Sequence, residues 1–187
     1  LRALGIQKGD EVIVPELTWV ATASVIHYLG AKPIFVDVDP DTWTIDSTSF
    51  EKAITPKTKA VMPVHLYGHP ANMEEVMKIA RANNLLVLED AAPAIGAKCN
   101  DQFCATFGDV AVFSFQGAKM MVTGEGGIVL TNDDETNVMS SLLAKKMGAK
   151  KTMIILNNPS YLGLVPGFID IYIAPVSYTH LRAHETP

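Results

Sequence analysis

Between Glu11 and Leu130 the chain alternates short apolar runs with stretches of helical character, and this alternation leaves few folds open to it. Glu11 to Pro15, Lys32 to Val38, Lys59 to Val64 and Leu85 to Leu88 read as strands, bounded by turn residues and rich in β-branched side chains. Helices fill the gaps. Thr18 is placed as the N-cap of a helix from about Trp19 to Leu29, which Gly30 stops. Asp46 and Ser47 open a short helix through Ala53, closed before Pro56. Asn72 caps a third helix running to about Asn83, with Met73, Val76, Met77 and Ala80 on one face. Leu1 to Ile6 reads as the tail of a helix ended by Gly5. Strands that alternate with helices predict an α/β fold whose mostly parallel sheet is covered on both faces.

The chemistry gathers after the fourth run. Gly96 to Phe107 reads as a hairpin or irregular excursion around Asn100 and Asp101. Val110 to Phe113 is a buried strand ending at Ser114. Lys119 follows five residues later and is the only lysine between Lys98 and Lys145. A glycine-rich loop, Thr123 to Gly127, leads into a further strand, Ile128 to Leu130, and a last helix is expected from about Asp133 to Met147. A lone lysine after a buried strand, beside a hydroxyl and flexible glycines, suits Schiff-base chemistry. Burial lowers a lysine from its usual value of about 10.4 and favours the neutral amine that attacks a carbonyl. Upstream, Glu89 and Asp90 follow directly on the strand Leu85 to Leu88. Polar groups at the carboxyl ends of two buried strands mark the edge where open α/β sheets bind ligands. Each residue also has a structural reading: a solvated loop lysine, a strand-end cap at Asp90, a loop serine at Ser114, and a tryptophan at Trp19 that anchors its helix in the core.

Composition excludes several classes. At 187 residues, 48% hydrophobic and 19% charged, the chain is globular rather than disordered. A net charge of −5 without a basic run argues against nucleic acid as partner. No apolar run reaches membrane-spanning length, and Leu1 begins no signal peptide. Cys99 and Cys104, a lone C-x4-C pair, read as thiols in a reducing cytoplasm. His65 and His69 are taken as loop residues near the substrate, because Gly68 and Pro70 rule out a helical metal pair. Glu125 reads as solvated or bonded to backbone, and the loop around it lacks Walker A spacing.

Five segments carry a family resemblance: GDEVIVPELTWVATASVI from Gly9, GAKPIFVDVD from Gly30, PVHLYGHPANM from Pro63, EDAAPAIGA from Glu89 and GDVAVFSFQGAKMMVTGEGG from Gly108. In order and spacing they resemble the DegT–StrS type sugar-nucleotide aminotransferases, pyridoxal-phosphate (PLP) enzymes of the aspartate aminotransferase fold. The resemblance covers Leu1 to about Met147. It implies a three-layer α/β/α PLP-transferase large domain with a mostly parallel mixed sheet. By it, Lys119 is the Schiff-base and proton-shuttling lysine, Asp90 pairs with the pyridine nitrogen, Ser114 contacts the phosphate and Trp19 stacks on the ring. The implied reaction moves an amino group, usually from glutamate, to a nucleotide-linked keto-sugar destined for surface polysaccharide, lipopolysaccharide or antibiotic, in a cytoplasmic homodimer. A PLP-dependent sugar dehydratase is disfavoured, since those family members carry histidine in place of Lys119. An inactive fragment or an α/β binding module is the remaining alternative.

Two departures stand out. Pro93 occupies the position where the family usually has a polar partner for the ring oxygen, and proline offers neither a side-chain donor nor an N–H. The family's first phosphate anchor, at a helix N-terminus, is expected before Leu1, and its small domain is also missing. Residues 1–147 are thus read as a partial PLP-binding domain and 148–175 as a degraded or frameshifted continuation. Residues 176–187 resemble a translated sequencing-adapter tail, so His180, His184 and Glu185 are not read as a metal site.

Overall fold

The computed structural model describes residues 1–122, 126–131 and 138, and the backbone of 153–155 and 171–173. The chain forms two units, 1–131 and 132–187. In the first unit the strands are β1 (Glu11–Pro15), β2 (Lys32–Val36), β3 (Thr58–Val61), β4 (Leu86–Asp90), β5 (Lys98–Cys99), β6 (Gln102–Phe103), β7 (Val110–Ser114) and β8 (Gly127–Thr131). The helices are α1 (Ala21–Tyr28), α2 (Ser47–Lys52) and α3 (Met73–Ala82). Six strands form one sheet in the order β2-β1-β3-β4-β7-β8. Neighbours from β2 to β7 run parallel, whereas β8 returns antiparallel to β7. The sheet is therefore mixed and mostly parallel, as expected.

Side-chain alternation along the strands sorts the core into two layers. Val12 and Val14 of β1 pack with Ala60, Leu88, Val110 and Ile26 of α1 on one face. Ile13, between the two valines, points the other way and packs with Val61, Val87, Phe50 of α2 and Met73, Val76 and Ala80 of α3. Phe50 is fully buried, and an aromatic or aliphatic side chain so buried contributes about 1.5–3 kcal/mol.

Two of the three helices start where their caps predict. Asp46 accepts from Ser49 N at 2.7 Å, and Asn72 accepts from Glu75 N at 3.4 Å. Helix α1 does not. It begins at Ala21 after Val20, with no side-chain cap. Thr18 is not the cap, because its hydroxyl meets that of Thr22 one turn on. Leu1 to Ile6 holds only a 3-10 turn, Arg2–Leu4, ended by Gly5. β2 and β3 stop earlier than their apolar runs, and Val38 and Val64 continue only as single bridges to Ile45 and Asp90. β5 and β6 form the expected hairpin, with Asn100 and Asp101 both at positive φ, as a tight two-residue turn requires.

In the second unit, β9 (Met153–Ile155) and β10 (Ile171–Ile173) pair in parallel. Thr123 to Glu125, the expected last helix apart from residue 138, and the tail from Val176 lie outside the described residues.

Candidate active site

Strand register brings Asp90 and Ser114 to one edge and one face. Asp90 is the last residue of β4 and pairs in register with Val112 of parallel β7. Leu88 lies two residues before Asp90 and belongs to the α1-side core, so alternation turns Asp90 to that face. Val110 and Val112 also face α1, which puts Ser114, the last residue of β7, on the same face. The two residues thus end adjacent parallel strands.

The chain then turns. Gln116 N donates to Ser114 Oγ at 3.4 Å, and Lys119 N donates to Gln116 O at 2.9 Å. Ser114 still has a hydroxyl proton to give. Lys119 is half-buried, where its sequence context suggested burial, and its amine has no partner among the described residues. Trp19 precedes α1 and is 74% exposed, so it is not part of the core. Its carbonyl accepts from Thr22 N at 3.1 Å.

Thr22 was unassigned by the sequence. It is buried in α1 and donates its hydroxyl to Asp90 Oδ2 at 2.9 Å, while Ala92 N donates to Oδ1 at 3.2 Å. The one available signal was the i, i+4 pair of Thr18 and Thr22, which reads equally well as helix surface.

Behind Asp90 lies a second buried group. Glu89 and His65 are both 0% exposed. Glu89 Oε1 accepts from Phe107 N at 2.8 Å and Gly108 N at 2.7 Å. Oε2 accepts from Ala105 N at 2.8 Å and pairs with His65 Nε2 at 3.1 Å. Ala71 N donates to His65 Nδ1 at 3.1 Å. A ring nitrogen that accepts carries no proton, so the proton sits on Nε2 and points at Glu89. His65 is therefore a structural strut and not a substrate-side loop residue, because its ring is sealed between Glu89 and the Ala71 amide. His69 is exposed. Gly108 permits this packing, since a Cβ there would lie 2.7 Å from Val87 O.

Burial pushes the Glu89 carboxyl up, but the bonds from His65, Gly108, Ala105 and Phe107 outweigh it and hold the group below its ordinary value of 4.5. A lowered carboxyl favours the folded state above that value and loses its contribution as acid protonates it. Asp39 and Asp46, held down by backbone bonds led by Thr42 and Ser49, act in the same direction. Urea midpoints are expected to stay level from about pH 7 to about pH 5 and to fall steadily toward about pH 3, with a shallower fall in Glu89→Gln.

The donor set fits pyridoxal phosphate. A carboxylate suits its protonated ring nitrogen, a hydroxyl with a spare proton suits a phosphate, an unpartnered amine suits an aldehyde, and an exposed indole face is free to stack. Pro93 lies beside Gly68, where an added Cβ would meet Pro93 O at 3.3 Å. Among the described residues no cluster of three or more His, Cys, Asp or Glu could hold a metal ion. Among them no helix is long and apolar enough to cross a membrane.

A mostly parallel sheet layered between helices, with these groups at its carboxyl edge, defines the large domain of the α/β aminotransferase class. The profile of the DegT/DnrJ/EryC1/StrS aminotransferase family matches residues 1–172, and the chain belongs to that family. It is 54% identical over 133 residues to the GDP-perosamine synthase of Escherichia coli O157:H7, a match covering 71% of this chain and 36% of that protein. Among solved structures it resembles DesV of S. venezuelae, with TM-score 0.75 and 40% identity over 81% of this chain and 42% of that one. It also resembles a putative sugar aminotransferase from Streptococcus pneumoniae in its PLP form, with TM-score 0.67 and 33% identity over 73% of this chain and 38% of that one. The chain thus spans 36–42% of the length of these relatives.

Proposed function

We propose that this chain is the cofactor-binding part of a PLP-dependent aminotransferase that moves an amino group from glutamate to a nucleotide-linked keto-sugar. The observation that carries the reading is Asp90 and Ser114 on one face of adjacent strand ends, with Lys119 one turn beyond. Bound PLP supplies an electron sink next to the carbon that exchanges its amino group. Asp90 holds the ring nitrogen's proton by charge and keeps that sink effective. Ser114 donates to the phosphate. Trp19 covers one ring face and keeps water from it. Lys119 would hold the cofactor through its amine and, with that amine free, would carry a proton between the substrate carbon and the cofactor's C4′ as general base and then general acid.

The wider reading is a cytoplasmic homodimer supplying amino sugars for surface polysaccharide, lipopolysaccharide or antibiotic. Val25 and Tyr28, one turn apart on α1, are both exposed, as is Val20, and an apolar strip of this kind supports a second copy packing there. GDP- and UDP-sugar names among similar proteins support a nucleotide-linked substrate.

The test is amino transfer by the chain loaded with PLP. Glutamate should yield one equivalent of 2-oxoglutarate with loss of visible absorption, and a nucleotide-linked keto-sugar should restore that absorption. A chain that retains no PLP through gel filtration would sink the proposal in favour of an α/β binding module.

A further inference from the structure

Asp90 has a single side-chain partner among the described residues, Thr22. A carboxylate can only accept, so the 2.9 Å contact runs from Thr22 Oγ1 to Asp90 Oδ2. Thr22 has one hydroxyl proton and spends it there. Its 3.2 Å contact with Thr18 Oγ1 must then run from Thr18 to Thr22. The result is a directed chain of donors: Thr18 to Thr22 to Asp90.

This chain is set firmly in the fold. Thr22 is 3% exposed and lies one turn before fully buried Ile26 on the face of α1 that covers the sheet. Its side chain is β-branched and has few rotamers in a helix. Its amide is tied to Trp19 O, so the residue that grips Asp90 also fixes the backbone that carries the tryptophan. The terminal torsion of an aspartate is broad when free. Here Ala92 N pins Oδ1 and Thr22 pins Oδ2, so both oxygens are held.

We propose that Thr22 is a positioning residue that fixes the plane of the Asp90 carboxylate for the ring nitrogen of PLP, with Thr18 holding the Thr22 hydroxyl in its donating rotamer. The cofactor half of this rests on the proposed function, whereas the hydrogen bond does not.

Thr22→Val removes the hydroxyl and keeps the branch, and Thr22→Ser keeps the hydroxyl and removes the methyl. The first readout is the Asp90 side-chain carboxyl resonance in the cofactor-free full chain, labelled with carbon-13 at aspartate. The second is PLP affinity from titration of visible absorption. Thr22→Val is expected to shift the Asp90 resonance and weaken PLP binding about 10- to 100-fold, the range for a lost hydrogen bond to a charged group. Thr22→Ser is expected to restore both. An unmoved resonance in Thr22→Val overturns the proposal. So does PLP binding in Thr22→Val equal to that of the unaltered chain, or equal weakness in both variants, which would mean the methyl packs and the hydroxyl does nothing. If the unaltered chain binds no PLP while the resonance moves, the cofactor reading fails and takes this role for Thr22 with it. That pattern is distinct from failure of the positioning role alone.

Discussion

Glu89→Ala is expected to destabilise the chain by about 3–5 kcal/mol, a large part of the roughly 5–15 kcal/mol that holds a domain folded. Glu89 fills all four acceptor positions of its carboxylate, with two protons on each oxygen. Alanine would leave three backbone amides and the His65 ring without an acceptor inside the protein. One orphaned buried donor costs about 1–3 kcal/mol, and four in contact relax together rather than adding in full. The donors come from three segments: the loop after β3, the return of the β5–β6 hairpin, and the entry to β7. Losing the carboxylate therefore loosens the path of the chain from β4 into β7, which sets the distance between Asp90 and Ser114. Glu89→Gln should cost about half as much, because its amide keeps the shape but points two protons at donors. Urea unfolding at neutral pH reads both variants. A loss under about 1 kcal/mol in Glu89→Ala would show that water or a rearranged hairpin meets these donors, and that Glu89 is not the strut described here.

The difference between Asp90 and Glu89 explains what the sequence made legible. Asp90 closes an apolar run, and strand-end position alone marks the ligand edge of a parallel sheet. Ser114 was legible in the same way. Glu89 needed partners 16 to 24 residues away, His65 on one side and the hairpin return on the other. No local period encodes those distances. A carboxylate inside an apolar run was the only sign, and His65, in a segment broken by Gly68 and Pro70, looked like loop. Thr18 was misplaced for a related reason. Its residue type is right for a cap, but α1 starts at Ala21, and Thr18 Oγ is in reach of Thr22. The caps at Asp46 and Asn72 were legible because the amides that donate to them lie three residues on, within the same turn. The antiparallel return of β8 was not, since apolar runs look alike in either direction.

Lys119→Ala is expected to abolish the covalent adduct that borohydride fixes between PLP and the chain, and to slow glutamate conversion about 10²- to 10⁴-fold, the span of a lost general acid–base group. The substitution should leave stability within about 0.5 kcal/mol, because Lys119 is half-buried in a turn and makes no side-chain bond among the described residues. A lost adduct therefore reports chemistry and not unfolding. Lys119→Arg separates the positive charge of the residue from its amine chemistry. It keeps a positive charge near the same place, but a guanidinium does not give up its proton in a protein, so it can neither link to the aldehyde nor act as base. It should fail as completely as alanine. Small primary amines added to Lys119→Ala should recover part of the rate, since they replace the missing proton carrier without the tether. Mapping of the reduced adduct to Lys98 or Lys145, or a Lys119→Ala rate within tenfold of the unaltered chain, would move the chemistry away from the β7 edge. Asp90 and Ser114 would then face that edge with no amine between them, and the assignment of all three would fall together.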